Sequence, residues 1–181
     1  MSVLLKEMYY LCIMDKLRVL FICLGNICRS PAAQGVMQDL VDKENLSQWF
    51  VIDSAGIGSW HVGQLADPRM RRHAALRGIQ LTHHARCFDA ATDLQRFDII
   101  VTMDEDNYKI ISRAADSYQG RAEVIRMADF FTQHPEATSV PDPYYGGDKD
   151  FELALDLIED GCRGILKRWK DENHVRGSHE V

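Results

Sequence analysis

The feature that most constrains the fold is an apolar run that leads into a short loop and a helix start, LRVLFICLGNICRSP at positions 17–31. The first part, Leu17–Ile22, is rich in Leu, Val, Phe and Ile, which is typical of a strand buried on both faces. Ser30 and Pro31 then supply a helix N-cap and a first-turn proline, so a helix is predicted over 32–40. This order predicts a parallel α/β unit with Cys23 at the carboxyl end of its strand, where such folds bind ligands.

The rest of the chain continues the alternation of strands and helices. Further strands are predicted at 49–53, 97–102 and 122–127, and further helices at 68–76, after Asp104, and at 150–170. The last helix carries one apolar stripe, which is typical of a helix packed on a sheet. Its members are Phe151, Ala154, Leu155, Ile158, Cys162, Ile165, Leu166 and Trp169.

The alternation predicts one α/β domain, with a parallel four-stranded sheet and helices on both faces in a flavodoxin-like arrangement. No repeat, low-complexity linker or break in composition divides it. We assign residues 17–170 to this domain, residues 1–16 to an N-terminal extension and residues 171–181 to a C-terminal tail.

Charge and cysteine content exclude several classes of function. The net charge of −6 argues against general binding to nucleic acid or to an anionic membrane. Five cysteines, an odd number with irregular spacing, predict reduced thiols in the cytoplasm and not a disulfide framework. Paired ligands typical of zinc are missing, so neither a metal nor a cofactor is expected. The opening residues, interrupted by Lys6 and Glu7, predict neither a signal peptide nor a membrane span.

The loop after the first strand suits an anion and a nucleophile. A lone cysteine after a strand is more often a packed core residue, but the neighbours of Cys23 favour reactivity. A glycine-containing loop at a helix start presents backbone N–H groups to a dianionic phosphate, and the Arg29 guanidinium can grip two phosphate oxygens. The same positive field stabilises a thiolate, so the loop predicts covalent phosphoryl transfer to sulfur. Asn26 tolerates left-handed backbone, and the Ser30 hydroxyl can donate to the sulfur.

Transfer to sulfur also needs an acid for the departing oxygen. Asp142 lies between two prolines in PDPYYGGD at positions 141–148. An Asp-Pro pair is by itself an ordinary turn signal. Beside it, however, Tyr144 and Tyr145 can form the walls of a slot for an aromatic ring, which an aryl phosphate site requires.

Five segments together resemble the low-molecular-weight protein tyrosine phosphatases, and the resemblance runs from about Leu17 to about Lys170. They are VLFICLGNICRSPAAQGVM, DSAGIGSWHVG, DPRM, THHAR and DPYYGGDKDFELALDLIEDGC. The resemblance implies metal-independent hydrolysis of phosphotyrosine through a phosphocysteine on Cys23. Arg29 is then the transition-state clamp, and Asp142 is the general acid and later the base for water.

The resemblance also implies roles for the surrounding residues. The phosphate-binding residues are Leu24, Gly25, Asn26, Ile27, Cys28, Arg29 and Ser30, the supporting residues are Ser54, Asp53 and His83, and the substrate rim is Trp60, Tyr144 and Tyr145. Among the supporting residues, Ser54 is expected to bond Asn26, and Asp53 to pair with His83. In some members a cysteine at the position of Cys28 forms a reversible disulfide with the nucleophile, which shields it from irreversible oxidation.

Three alternatives remain open. A protein-arginine phosphatase of this fold tends to carry threonine where this chain has Ile27. The apolar Ile27 leaves room for a phenyl ring, which favours phosphotyrosine. A thiol-dependent arsenate reductase needs two further neighbouring cysteines, whereas Cys87 stands alone. A non-catalytic phosphate-binding module is expected to lose Cys23, Arg29 or Asp142. The expected partners are phosphotyrosine-containing proteins or peptides and small aryl phosphates, with the chain a monomer or weakly self-associating.

Overall fold

The computed structural model describes residues 16–178, which form a four-stranded parallel sheet flanked by helices. The strands are β1 (Leu17–Cys23), β2 (Phe50–Gly56), β3 (Ile99–Thr102) and β4 (Glu123–Arg126), in the order β2-β1-β3-β4. The α-helices in this range are α1 (Arg29–Lys43), α2 (Pro68–Leu76), α3 (Ala90–Arg96), α4 (Glu105–Tyr118) and α5 (Asp148–Ser178). Short 3₁₀ turns occupy Ser47–Trp49 and Met127–Phe130. This strand order is flavodoxin-like, and the predicted fold class is confirmed.

The central strand β1 separates two apolar cores. Val19 and Phe21 face the larger core with α1 and α5, whereas Leu20 and Ile22 face the smaller core with α3 and α4. All four side chains are fully buried, as expected for a strand covered on both faces. Every member of the predicted α5 stripe is buried as well.

The strand register puts the carboxyl end of β1 between two neighbours. Cys23 pairs with Gly56 of β2, and Ile22 pairs with Thr102 of β3. The loop that follows Cys23 therefore begins where the connections of the sheet diverge, which is the usual ligand site of such folds.

The strands differ from their predicted bounds by up to three residues at either end, and the larger differences concern the helices. Helix α1 begins at Arg29 with Cys28 as N-cap and without a side-chain capping bond, so the prediction that Ser30 caps it is wrong. Ser30 lies inside the first turn and turns its hydroxyl toward Cys23. Helix α3, capped by Asp89, was not predicted because its seven residues, about two turns, are too few for a periodic pattern.

Helix α5 is longer than predicted. It begins at Asp148 and continues past Lys170 to Ser178, so the polar residues after the apolar stripe extend the helix. The division into extension, domain and tail stays a prediction, since residues 1–15 and 179–181 lie outside the described range. Within residues 16–178, no helix has the length and apolar content needed to cross a membrane.

Candidate active site

The β1–α1 loop (residues 23–29) has three carbonyl groups bonded to neighbouring segments and four consecutive amide groups without an acceptor among the described residues. The carbonyls of Cys23, Leu24 and Ile27 accept bonds from the backbone N–H groups of residues 57, 58 and 67. Across the described chain, the N–H groups of residues 25–28 donate to no carbonyl or side chain. Adjacent N–H groups without acceptors, at the start of a helix, form a nest for an anion.

Asn26 shapes this loop from behind. Its backbone is left-handed, with φ of 56°. The backbone N–H of Arg86 donates to Asn26 Oδ1 at 2.9 Å, and His83 Nε2 approaches the same oxygen at 3.0 Å. Because a backbone N–H can only donate, the amide orientation is determined, and Asn26 Nδ2 donates to Ser30 Oγ at 2.8 Å and to Ser54 Oγ at 2.9 Å.

The orientation of Asn26 leaves two acceptors for the Ser30 proton. Ser30 Oγ accepts from Asn26, and its own proton can reach Cys23 Sγ at 3.0 Å or the Ala55 carbonyl at 3.4 Å. Either atom of the contact with Cys23 can donate when the sulfur is a thiol, whereas only the Ser30 hydroxyl can donate when it is a thiolate. Cys23 itself is buried, with 3% of its surface exposed. Ser54 likewise accepts from Asn26 and donates to Gln34 Oε1 at 2.7 Å. The expected contact between Ser54 and Asn26 is present.

The expected pair of Asp53 and His83 is looser. Asp53 Oδ1 is 3.8 Å from His83 Nδ1, beyond hydrogen-bond distance, and Asp53 Oδ2 instead accepts from Arg86 Nε at 3.0 Å. Burial lowers the pKa of His83, against the opposing effect of Asp53. Asn26 Oδ1 can only accept, so the His83 proton lies on Nε2 and the neutral imidazole donates it to Asn26. Sequence reasoning missed Arg86, which contacts both Asp53 and Asn26.

Replacing Asn26 with alanine is expected to destabilise the fold by about 3 kcal/mol, because it leaves buried hydroxyl and N–H groups without partners. Asn45 is the matched control, since its φ is 57° and its side chain is exposed. Asn45→Ala tests the backbone cost alone, about 1 kcal/mol. Urea unfolding measures both variants, and equal losses would show that the Asn26 contacts contribute nothing beyond the left-handed backbone.

Arg29 brings two distant carboxylates to the loop. Its Nη1 donates to Asp104 Oδ2 at 2.5 Å and to the Val140 carbonyl at 3.1 Å, and its Nη2 donates to Asp142 Oδ2 at 3.0 Å. Burial acts to lower the pKa of Arg29, but Cys23 and the two carboxylates outweigh it and raise the pKa. The guanidinium therefore stays charged beside the sulfur, although Arg29 is only 3% exposed.

The loop and its neighbours enclose a cavity of about 300 Å³. Its lining residues are Cys23, Leu24, Gly25, Ile27, Cys28, Arg29, Trp60, His61, Asp142, Tyr144 and Tyr145. Trp60 and Tyr145 are 68% and 96% exposed and form the rim. Tyr144 meets Tyr145 edge to face, with ring centroids 4.9 Å apart. The three predicted rim residues thus lie together at one mouth, while Asn26, Ser30, Ser54, Asp53 and His83 lie outside the lining.

Cys28 also lines the cavity but differs from Cys23 in its surroundings. Burial, reinforced by the charge of Asp67, raises the pKa of the Cys28 thiol well above its ordinary value. Cys28 is therefore a protonated thiol, and it is reduced in this structure, as is Cys23.

Two lining or neighbouring residues were missed from the sequence. Asp104 follows β3 and caps α4 by accepting from Asn107 N at 2.8 Å. Its place at a strand's carboxyl end is a signal that points to the site edge. His61 packs on the loop, where a Cβ at Gly25 would lie 3.1 Å from its ring. Nothing in the sequence around His61, a single histidine beside Trp60, indicates that it lies at the site. Within the described residues, no group of three or more His, Cys, Asp or Glu side chains is arranged to hold a metal ion.

Comparison with known proteins identifies one family. The sequence profile of the low molecular weight phosphotyrosine protein phosphatases matches residues 18–175. A Synechocystis protein, a putative low molecular weight protein-tyrosine-phosphatase, is 42% identical over 83% of this chain and 94% of its own length. The crystal structure of a protein tyrosine phosphatase from Entamoeba histolytica, with Hepes in its active site, is similar at a TM-score of 0.80 and 39% identity, covering 87% of this chain and 99% of that one. The structure of a Drosophila arginine phosphatase gives a TM-score of 0.79 at 31% identity over 84% of this chain and 97% of that one.

Proposed function

The chain belongs to the low molecular weight phosphotyrosine protein phosphatase family, and we propose that it hydrolyses phosphotyrosine through a phosphocysteine on Cys23. The observation that carries the proposal is the convergence of Cys23, Arg29 and Asp142 on one cavity of about 300 Å³. A thiol, a guanidinium fork and a carboxyl group are the nucleophile, anion clamp and acid that phosphoryl transfer to sulfur needs.

Substrate binding begins at the β1–α1 loop. The open N–H groups of residues 25–28 and the Arg29 guanidinium receive the phosphate dianion. In the structure Arg29 Nη2 is occupied by Asp142, so a phosphate oxygen takes over that donor while Asp104 retains Nη1. This exchange frees the Asp142 carboxyl group to face the ester oxygen of the substrate.

The chemistry then proceeds in two displacements. The Cys23 thiolate attacks phosphorus, the bond to the aryl oxygen breaks, and Asp142 gives its proton to the departing phenolate. In the second step Asp142 takes a proton from water as that water attacks the phosphocysteine. The Ser30 hydroxyl, 3.0 Å from Sγ, stabilises the thiolate as it leaves. Inorganic phosphate and the free thiolate are the products, with no net change in the protein.

The rim supports an aryl substrate. Trp60, Tyr144 and Tyr145 provide aromatic surface above the loop, and the Ile27 side chain leaves an apolar wall for a phenyl ring. Phosphotyrosine-containing proteins or peptides are therefore the proposed partners. The proposed enzyme is a monomer or weakly self-associating, and its proposed location is the cytoplasm. The odd number and irregular spacing of the five cysteines support a reducing compartment. Cys162, buried against α1, and Cys87, on the surface, do not favour a reductase relay.

The direct test measures turnover of a phosphotyrosine peptide, a phosphoarginine peptide and arsenate side by side, under reducing conditions and with a chelator. We expect phosphotyrosine to be hydrolysed fastest and the chelator to have no effect. Faster release from phosphoarginine than from phosphotyrosine would reassign the substrate, and absence of any phosphate release would overturn the enzyme proposal.

Replacing Asp142 with alanine is expected to lower kcat/KM for phenyl phosphate by roughly 10²-fold or more, and for dinitrophenyl phosphate far less. A good leaving group departs without a proton, so only the poor one needs the acid. A series of aryl phosphates measures the dependence on leaving-group pKa. Asp142→Asn, which keeps the size of the side chain, serves as a second variant and is expected to behave like alanine. Equal slowing across the series would remove Asp142 from the role of acid.

A further inference from the structure

We propose that Arg69 is a positioning residue for the acid loop (residues 141–147), holding Asp142 and Tyr144 over the β1–α1 loop during turnover. This inference rests on the proposed function. It starts from a chain of contacts that runs from one loop to the other through the beginning of α2.

The first link joins the β1–α1 loop to α2. The backbone N–H of Asp67 donates to the Ile27 carbonyl at 2.8 Å. The nearly buried Asp67 carboxylate caps α2 by accepting from Arg69 N at 2.8 Å, and it also accepts from Arg69 Nε at 3.0 Å and Nη2 at 2.8 Å. Bonding to Arg69 lowers the pKa of Asp67. An ionised carboxylate thus holds the fork of Arg69 in one orientation.

The second link joins Arg69 to the acid loop. Arg69 Nη2 donates to the Tyr144 carbonyl at 3.0 Å, and the Tyr144 N–H donates to Asp142 Oδ1 at 3.2 Å. The main chain of Tyr144 therefore lies directly between the guanidinium and the acid. Displacing that main chain would move both the carboxyl group and the aromatic rim.

The buried ring of Phe151 packs against the Arg69 guanidinium. The Arg69 guanidinium carbon is 4.8 Å from the centroid of the Phe151 ring and 5.6 Å from that of Tyr144. Phe151 is fully buried, and it also stacks with His73 at 5.6 Å and an interplanar angle of 4°. The Arg69 guanidinium thus contacts both a buried core ring and an exposed rim ring, where cation–π contact adds to the hydrogen bonds.

The contact with Arg69 matters most when substrate is bound. In the ligand-free structure the acid loop is also held by the bond from Arg29 to Asp142. A phosphate that engages Arg29 removes that bond, whereas the bond from Arg69 to Tyr144 lies outside the phosphate site and persists. Arg69 then holds the acid in reach of the ester oxygen, and small misplacements of catalytic groups are costly.

The test compares Arg69→Met with Arg71→Met in the full chain. Arg71 lies two positions along the same helix, is exposed, and has no side-chain hydrogen bond or ion pair among the residues described. The readout is kcat/KM across aryl phosphates of rising leaving-group pKa, with the active fraction titrated. We expect Arg69→Met to lose roughly tenfold on phenyl phosphate and little on dinitrophenyl phosphate, and Arg71→Met to match the parent. Arg69→Lys, which keeps a donor for Tyr144, is expected to recover part of the loss.

A second comparison places Arg69→Met in an Asp142→Ala background. If Arg69 acts through Asp142, its loss adds nothing to the leaving-group dependence of the double variant. A decrease that is the same for every leaving group, or a leaving-group dependence of the Arg69→Met effect that persists without Asp142, would show that Arg69 does not position the acid and would overturn the proposal. Failure of the parent protein to hydrolyse any aryl phosphate would instead contradict the proposed function, so the two outcomes are separate.

Discussion

Cys23→Ser is expected to lower turnover of phosphotyrosine by at least about 10⁴-fold, the scale at which loss of a nucleophile acts in covalent catalysis. A serine hydroxyl stays protonated near neutral pH and is a far weaker nucleophile than a cysteine thiolate, and Asp142 acts as the acid in the first step, so it is not available there as a base for the hydroxyl. Burst kinetics and mass spectrometry of acid-quenched protein measure the loss of both turnover and the phosphoryl adduct.

The control for this substitution is Cys87→Ser, which makes the same exchange of sulfur for oxygen at an exposed cysteine outside the cavity lining. It is expected to retain full turnover. Binding of inorganic phosphate by Cys23→Ser, followed by calorimetry, separates lost chemistry from a lost site, because the N–H groups of residues 25–28 remain. Turnover above a few per cent in Cys23→Ser would mean that the nucleophile is another group.

Arg29→Lys is expected to lower kcat by roughly 10³-fold although it keeps the positive charge. Arg29 bonds Asp104 with one terminal nitrogen and reaches the cavity with the other. A lysine has a single ammonium group, so it cannot stay anchored on Asp104 and also present a planar pair of donors to the transition state. Steady-state kinetics on a phosphotyrosine peptide measures the effect.

Arg18→Lys is the matched control, since Arg18 forms a partly exposed ion pair with Asp98 at 3.7 Å and lies at the opposite end of β1. It is expected to leave turnover unchanged, as ion pairs of this kind contribute little. Thermal unfolding of Arg29→Lys shows whether the fold survives the altered contacts with the two carboxylates. A folded Arg29→Lys with a tenth or more of parental kcat is incompatible with a bidentate clamp.

These two predictions concern residues six positions apart, and both were available from the sequence for a local reason. Cys23 ends an apolar strand and Arg29 begins a helix, so a short loop must bring them together whatever the rest of the chain does. The sequence also indicates the left-handed position of the loop, because asparagine tolerates that backbone conformation and Asn26 adopts it, with φ of 56°.

The prediction for Ser30 shows where local reasoning fails. Serine before proline is a good N-cap by propensity, but α1 begins at Arg29, and the Ser30 hydroxyl bonds Asn26 and Cys23 instead. Asn26 could be recognised as a loop residue, yet the contact with Arg86 that orients its amide depends on a chain segment 60 residues away.

The sequence by itself determined the strand, the loop and the helix start around Cys23, because backbone propensity and apolar periodicity act between near neighbours. It also placed Asp142 in a restricted turn. Only the tertiary structure decided that Arg29 meets both Asp104 and Asp142, 75 and 113 positions away, and that Arg69 reaches Tyr144. Those contacts arise because parallel strands and their crossover helices bring distant carboxyl-end loops to one edge of the sheet, and sequence distance carries no information about that geometry.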